Sequence, residues 1–129
     1  MTAVDTNVLV RLLTADEPRQ TKAARKLLAN EQIWIAKTVL LETAWVLARI
    51  YKFDETAIRE ALTKLLGFEN VDVEDETSLQ AAFALADQGI DFVDAMHLSS
   101  TPSGAVFASF DKAFIRRATR AGVSGVSEI

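Results

Sequence analysis

The sequence predicts an α/β fold in which helices cover both faces of a mainly parallel sheet. Two observations support this: short apolar runs alternate with longer amphipathic segments, and capping residues stand between them. Strands that alternate with helices pair in parallel, because each helix returns the chain to the edge where the previous strand began. With 129 residues, the chain is long enough to bury a substantial core, and we expect one domain over residues 1–129.

The individual elements follow from local patterns. Short runs rich in Val and Ile indicate strands, while Asp or Thr before a helical pattern indicates an N-cap, and a Gly after one indicates its end. The expected strands are Thr2–Asp5, Ile33–Ile35, Val71–Val73, Ala105–Ser109 and Val123–Val126. The first expected helix is Asn7–Leu13, the second is opened by Asp16-Glu17-Pro18 and reaches Ala29, and the third is capped by Thr38 and reaches Tyr51. The fourth is Glu55–Leu66, between the cap Asp54 and the terminating Gly67, and the fifth is Thr77–Gln88. The sixth runs from Asp91 to Leu98, and the last starts at Asp111.

The composition excludes several classes of protein. Half of the residues are hydrophobic and a quarter are charged, as in ordinary compact domains. The absence of cysteine excludes disulfides and thiolate metal sites, and a single His argues against an imidazole zinc site. The first residues lack the basic region of a secretory signal, and no segment has the apolar length of a membrane span. We therefore expect a cytoplasmic protein without a membrane partner.

Four carboxylates each stand alone in an apolar stretch: Asp5, Glu42, Asp94 and Asp111. Asp and Glu are almost never fully buried without a partner, because removing a carboxylate from water is costly. No Lys or Arg lies inside these stretches, so we interpret the four acids as ligands of a divalent cation. Oxygen ligands favour Mg²⁺ or Mn²⁺. Acids that hold such an ion are typical of enzymes that hydrolyse phosphodiesters.

Each acid also has a structural interpretation. Asp5 and Asp111 precede helices and could accept hydrogen bonds from the first turn. Asp91 and Asp94 have the spacing of a capping pair, and we assign the cap to Asp91 and metal binding to Asp94, which lies deeper among apolar residues. Glu42 is the hardest to explain structurally, because its helical neighbours predict a core-like face.

Other polar residues could support such a site. Thr6, Asn7 and Ser109 lie next to the acids and could hold a carboxylate or a metal-bound water. His97 follows Asp94 by one turn and could contact substrate or transfer a proton, although a lone His more often packs. Basic residues at helical spacing could contact phosphates, or could form an ordinary solvated helix surface. These are Arg19, Lys22 and Lys26, and Arg116, Arg117 and Arg120.

Four motifs in a fixed order relate the chain to a known family. They are Val4-Asp5-Thr6-Asn7, Leu41-Glu42-Thr43, the segment from Asp91 to Leu98, and Ser109-Phe110-Asp111. With them the chain resembles the PIN-domain family over essentially its whole length, and most of all the VapC-type toxins of type II toxin–antitoxin pairs. The resemblance implies a Rossmann-like three-layer α/β/α sandwich and an endoribonuclease that hydrolyses RNA with a metal-activated water. It implies metal-binding roles for Asp5, Glu42 and Asp94, with Asp111 as a more variable fourth, and helper roles for Thr6, Asn7 and Ser109.

The resemblance also implies partners. They are an RNA substrate, a cognate antitoxin that covers the acidic cleft, and a second copy of the chain, so that the protein would be a homodimer or a toxin–antitoxin hetero-oligomer. The net charge of −4 is unusual for a protein that binds nucleic acid, and local basic patches must offset it. No row of exposed aromatic residues is recognisable, which favours structured RNA over generic single strands.

Two other functions remain open. The first is an aspartyl-phosphate transfer domain, of receiver or phosphatase type, in which Asp5 is phosphorylated. A phosphatase usually has a second acid two residues after its nucleophile, where this chain has Asn7, and the acidic pair of a receiver is also absent. The second is a non-catalytic module whose acids bind a structural metal or a basic peptide.

Overall fold

The computed structural model describes residues 1–129 and contains five strands and seven helices. The strands are β1 (Thr2–Ala3), β2 (Ile33–Ile35), β3 (Val71–Val73), β4 (Phe107–Ser109) and β5 (Val126–Glu128). The helices are α1 (Thr6–Thr14), α2 (Pro18–Asn30), α3 (Lys37–Arg49), α4 (Glu55–Leu66), α5 (Glu76–Ala86), α6 (Phe92–Ser99) and α7 (Lys112–Arg120). All strands pair in parallel, so the predicted α/β class is confirmed.

The chain divides into two compact units, the N-terminal unit (Met1–Glu76) and the C-terminal unit (Thr77–Ile129). The N-terminal unit has a three-stranded sheet in the order β1-β2-β3, with Ile33 of β2 in register with Thr2 on one side and Val71 on the other. Ile33 and Ile35 are buried, as expected for a central strand with apolar residues on one face. Helix α1 packs on α2 and α3, and α4 packs on α3 and β3.

The C-terminal unit has its own two-stranded sheet, in which β4 pairs with β5 and α7 packs on β5. Two pairs of aromatic side chains contribute to its packing. The ring centroids of Phe107 and Phe114 lie 5.6 Å apart, and those of Phe83 and Phe92 lie 5.5 Å apart, both in the tilted geometry that aromatic pairs prefer. None of the helices in the chain has the length and apolar character needed to cross a membrane.

Most predicted helix starts are confirmed at the level of the capping bond. Asp54, Asp91 and Asp111 each accept a hydrogen bond from a backbone N–H of the helix that follows. The Thr38 cap is wrong: α3 begins at Lys37, and Ala36 stands at the cap position without a side-chain bond. The last strand begins three residues later than expected and ends two residues later, over Val126–Glu128.

The start of α2 also differs from the prediction. Glu17, rather than Asp16, caps the helix by accepting the N–H of Gln20 at 2.6 Å. The Asp16 carboxylate is already occupied, because it accepts hydrogen bonds from the Tyr51 hydroxyl at 2.5 Å and from Arg11 at 3.2 Å. The hydrogen bond from Tyr51 contributes most to lowering the pKa of Asp16. Tyr51 lies 35 positions from Asp16 in the sequence, so the local pattern around Asp16 does not show that its carboxylate is bound elsewhere.

Candidate functional site

The four isolated acids are less buried than their neighbours predict. Asp5, Glu42 and Asp111 are exposed, and Asp94 is half-buried. The expectation that apolar stretches bury these carboxylates is therefore wrong for three of them. The reason is geometric: successive residues of a helix or strand point in different directions, so apolar neighbours can face the core while the acid faces solvent. The burial of these acids alone therefore does not require a cation.

In the N-terminal unit, a hydrogen bond connects the first motif to the second. Asp5 caps α1, with its Oδ1 accepting the N–H of Val8 at 3.1 Å. Thr6 follows it and is buried, with 8% of its surface exposed. The Thr6 hydroxyl donates to Oε1 of Glu42 on α3. The first turn of α1 is thus hydrogen-bonded to the Glu42 carboxylate, whereas the helper role of Thr6 toward a metal ion stays a prediction.

Glu42 lies on the solvent face of α3, not on a core face. The exposed stripe of this helix consists of Thr38, Glu42, Trp45 and Arg49, which are spaced four, three and four residues apart. The buried residues of α3 are Leu40, Thr43, Ala44 and Leu47. The Cζ atom of Arg49 lies 5.9 Å from the centroid of the Trp45 ring, in cation–π contact. The prediction of a core-like face around Glu42 is wrong.

In the C-terminal unit, two neighbouring carboxylates act on Asp94. Asp91 caps α6, with its Oδ1 accepting the N–H of Asp94 at 2.8 Å. Partial burial raises the pKa of Asp94 to about 6, and repulsion from Asp91, a hydrogen bond with Asp91 and repulsion from Asp111 act in the same direction. The electrostatic interaction with His97 acts in the opposite direction and lowers the pKa of Asp94. This crowding of acids is the arrangement whose repulsion a bound cation would relieve.

Asp111 occupies the start of α7. Its Oδ1 accepts the N–H of Phe114 at 3.0 Å, and its own N–H donates to Oγ of Ser109 at the same distance. Ser109 therefore fixes the backbone that carries Asp111, not the carboxylate itself. Phe110, between these two residues, is 77% exposed.

Capping and metal binding are compatible roles for these acids. In Asp5 and Asp111, the capping bond uses Oδ1 of a group that has two oxygens and about four acceptor positions. Asp94 does not cap, since Asp91 does so for α6. Asp5 and Asp111 can therefore cap a helix and bind a metal ion at the same time. The capping bond orients the carboxylate that would bind the ion.

The donor set suits a hydrated Mg²⁺ or Mn²⁺ ion. All four acids supply oxygen, the ligand these ions prefer, and none of them forms an ion pair with Lys or Arg. No group of three or more Asp, Glu or His side chains is close enough to form a metal cage on its own. Mg²⁺ does not require such a cage, because it keeps several waters and binds through one or two carboxylates and the substrate phosphate.

The remaining predicted residues lie at the surface. Asn7 is exposed and lines a groove of about 490 Å³ with Arg11 and Gln20, and His97 is exposed on α6. The basic residues on α2 and α7 are also exposed, and none of them forms an ion pair. These are Arg19, Lys22, Lys26, Arg116, Arg117 and Arg120. Their charges are available to a polyanion.

Two residues of the site region were missed from the sequence, Trp45 and Phe110. Both are large aromatic side chains with more than half of their surface exposed, at 52% and 77%. Trp45 follows Glu42 by three residues on one helix, and Phe110 directly precedes Asp111. The helical spacing of Trp45 from Glu42 is visible in the sequence, but the exposure of Trp45 depends on which face of α3 packs.

Comparison with models of known protein families gives a match. The family model described as PIN domain matches residues 2–119, a range that contains all four acids and both supporting hydroxyl residues, Thr6 and Ser109. No curated protein matches the chain. PIN domains are generally nucleases that bind nucleic acid, and PIN-domain nucleases generally use divalent metal ions.

Proposed function

The chain belongs to the PIN-domain family, and we propose that it is a metal-dependent endoribonuclease that acts as the toxin of a toxin–antitoxin pair. The observation that carries the proposal is the placement of acids within the matched residues. In one unit Asp5 caps a helix whose next residue, Thr6, holds Glu42. In the other, Asp94 and the helix cap Asp111 are close enough for their charges to interact.

In this proposal, Asp5, Glu42, Asp94 and Asp111 are ligands of Mg²⁺, with Mn²⁺ as a substitute. When bound, the ion would supply a water of lowered pKa as nucleophile and offset negative charge on the scissile phosphate. The residues of the chain prepare this chemistry. The Thr6 hydroxyl donates a hydrogen bond to the Glu42 carboxylate, and the capping bonds orient the carboxylates of Asp5 and Asp111. Preorganised ligands need no rearrangement when the substrate arrives.

The exposed basic residues of α2 and α7 are proposed to bind the RNA backbone. They provide local positive charge in a chain whose net charge is −4. Neutralising phosphates with Lys and Arg releases counterions, so RNA affinity should fall steeply with salt. Replacing Arg116 and Arg117 with Gln should reduce that salt dependence as well as the affinity. If neither changes, these residues form an ordinary solvated surface.

The test of the catalytic proposal is cleavage of end-labelled RNA by purified protein with Mg²⁺, with Mn²⁺ or with chelator. Asp5→Asn, Glu42→Gln and Asp94→Asn should each reduce cleavage at least about a hundredfold, the scale of losing a transition-state contact. Asp54→Asn is the matched control, because Asp54 caps α4 as Asp5 caps α1. Equal cleavage by Asp94→Asn and wild type would refute the assignment. An acyl-phosphate on Asp5 without RNA cleavage would favour a phosphoryl-transfer domain instead.

The toxin assignment rests on the family resemblance and is tested in cells. Induced expression of the chain should arrest growth, and Asp5→Asn should abolish the arrest.

We further propose two partners. One is a cognate antitoxin protein that inserts an Arg among the acids, which is a charge-assisted contact, and the other is a second copy of the toxin in a homodimer. Co-expression with a short reading frame directly upstream should restore growth, and light scattering reports the stoichiometry. We propose a cytoplasmic location, because a chain without cysteine needs no oxidising compartment, and cell fractionation tests it.

A further inference from the structure

Each unit presents one exposed aromatic side chain directly beside a candidate acid. In the N-terminal unit this is Trp45, three residues after Glu42 on the solvent face of α3. In the C-terminal unit it is Phe110, the residue before Asp111. Phe107 and Phe114, which flank Phe110 in sequence, pack on each other, whereas Phe110 is 77% exposed. Covering an exposed aromatic ring with another apolar or aromatic surface is favourable, so each of these side chains can contribute to binding a ligand.

We propose that Trp45, with Arg49 beside it, is a stacking site for an unpaired RNA base next to the scissile phosphate, and that Phe110 is a second such site in the other unit. The proposal rests on the proposed nuclease function and specifies its substrate as RNA with unpaired nucleotides at the cleavage point. It reverses the expectation of structured RNA, which depended on the apparent absence of exposed aromatic residues.

The geometry of α3 supports a base at Trp45. Residues three positions apart on a helix are surface neighbours, with Cβ atoms about 5–6 Å apart. A base stacked on Trp45 would therefore belong to a nucleotide beside the phosphate that Glu42 approaches. Stacking on an aromatic ring tolerates any base, because every base has a π-face, so this site would bind without strict sequence preference.

The charge of Arg49 distinguishes RNA from an apolar partner. Its guanidinium lies over the Trp45 ring, at 5.9 Å from the centroid, and Arg49 forms no ion pair. A planar cation on an exposed ring can bind a phosphate and stack at the same time. A second copy of the chain would instead have to cover this charge with an acid. The positive charge of Arg49 complements a phosphate, which favours RNA as the partner. Self-association of the chain through Trp45 would appear in the test below as a change in oligomeric state.

Tryptophan fluorescence can test the site without any cleavage. The chain has two Trp residues, so Trp34→Phe leaves Trp45 as the only one, and Trp45→Phe leaves Trp34. With a ten-nucleotide unpaired RNA in chelator, the Trp34→Phe protein should show saturable quenching, and the Trp45→Phe protein should show little. RNA binding seen by anisotropy without quenching of Trp45 would overturn the proposal, and so would the absence of any binding.

Activity provides the second measurement. Trp45→Ala and Phe110→Ala should each weaken binding or raise KM for an unpaired substrate about tenfold, the scale of losing one stacked base. Arg49→Gln should weaken binding and Arg49→Lys should do so less. Phe68→Ala is the matched control, because Phe68 is 49% exposed and is not beside a candidate acid. Equal effects at Phe68 and Trp45, or a change in oligomeric state instead of KM, would overturn the stacking site.

One outcome separates the stacking site from the nuclease proposal. If the wild-type protein binds RNA with quenching of its tryptophan fluorescence but does not cut the RNA, the nuclease proposal fails while the stacking site stands.

Discussion

The acids of the N-terminal unit and those of the C-terminal unit are stabilised in opposite ways. Glu42 receives a hydrogen bond from a buried hydroxyl, and Asp5 accepts one from a helix N-terminus. Asp94 is half-buried and close to two other carboxylates, and its pKa is about 6. One unit thus presents acids that are satisfied without an ion, and the other presents acids whose repulsion remains. A bound ion should therefore raise the free energy of unfolding more through its contact with the acids of the C-terminal unit than through its contact with those of the N-terminal unit.

The largest effect that separates the two units is stabilisation by the ion itself. At a Mg²⁺ concentration about a hundred times its Kd, a ligand that binds only the folded state raises the free energy of unfolding by about 2.7 kcal/mol. Asp94→Asn should remove most of this increase, because it removes a ligand together with the repulsion that the ion relieves. Glu42→Gln should remove less, and Asp54→Asn none. Thermal denaturation with and without Mg²⁺ measures all three, and an equal loss in Glu42→Gln would contradict the contrast.

The next effect tests whether the hydrogen bond from Thr6 organises Glu42. Thr6→Val removes the hydroxyl but keeps the shape, and it should lower kcat about 10- to 100-fold, the usual cost of losing a group that orients a metal ligand. Thr6→Ser should restore most of the rate, which a purely structural role of the methyl group would not explain. Thr21→Val on α2 is the control, since Thr21 is equally buried and its hydroxyl bonds only a backbone carbonyl, that of Arg11.

Much of this arrangement could be read from the sequence, and the parts that could not have physical causes. The alternation of elements, the helix caps at Asp54, Asp91 and Asp111 and the strand at Ile33–Ile35 depend on local pattern, and the structure confirms them. The exposure of Glu42 depends on which face of α3 packs against the rest of the chain. An apolar stretch with several helical faces does not fix that choice.

Partnerships between distant residues were equally hidden. The Thr6–Glu42 hydrogen bond spans 36 positions, and the contacts of Asp16 with Tyr51 span 35. Thr6 could be selected as a helper because it follows an acid, but its partner could not be named. The exposure of Trp45 and Phe110 could not be predicted either, since an isolated aromatic residue in an apolar run usually packs.

A smaller effect is the pH dependence of stability that Asp94 imposes. Its folded pKa of about 6 lies above the ordinary value of 3.8, so between these values the folded state binds more protons than the unfolded state. The free energy of unfolding should therefore fall as pH rises from 4 to 6, and the penalty is complete above pH 6. After allowance for solvent screening it is on the order of 1 kcal/mol. Asp94→Asn should abolish this slope and be more stable than wild type at pH 7.5 without metal, whereas Glu42→Gln should leave the slope unchanged. Urea denaturation between pH 4 and 7.5 decides between these outcomes.

The smallest effect separates capping from chemistry at Asp5. Asn caps a helix about as well as Asp, so Asp5→Asn should change the free energy of unfolding by only a few tenths of a kcal/mol, whereas Asp5→Ala should cost about 1 kcal/mol. The matched pair Asp54→Asn and Asp54→Ala should show the same two stability changes, because both residues make the same capping bond. RNA cleavage should distinguish the two positions, since both changes at Asp5 abolish it and Asp54→Asn does not affect it. If Asp5→Asn retains full cleavage, Asp5 is only a cap, and the N-terminal unit then contributes Glu42 alone to the chemistry.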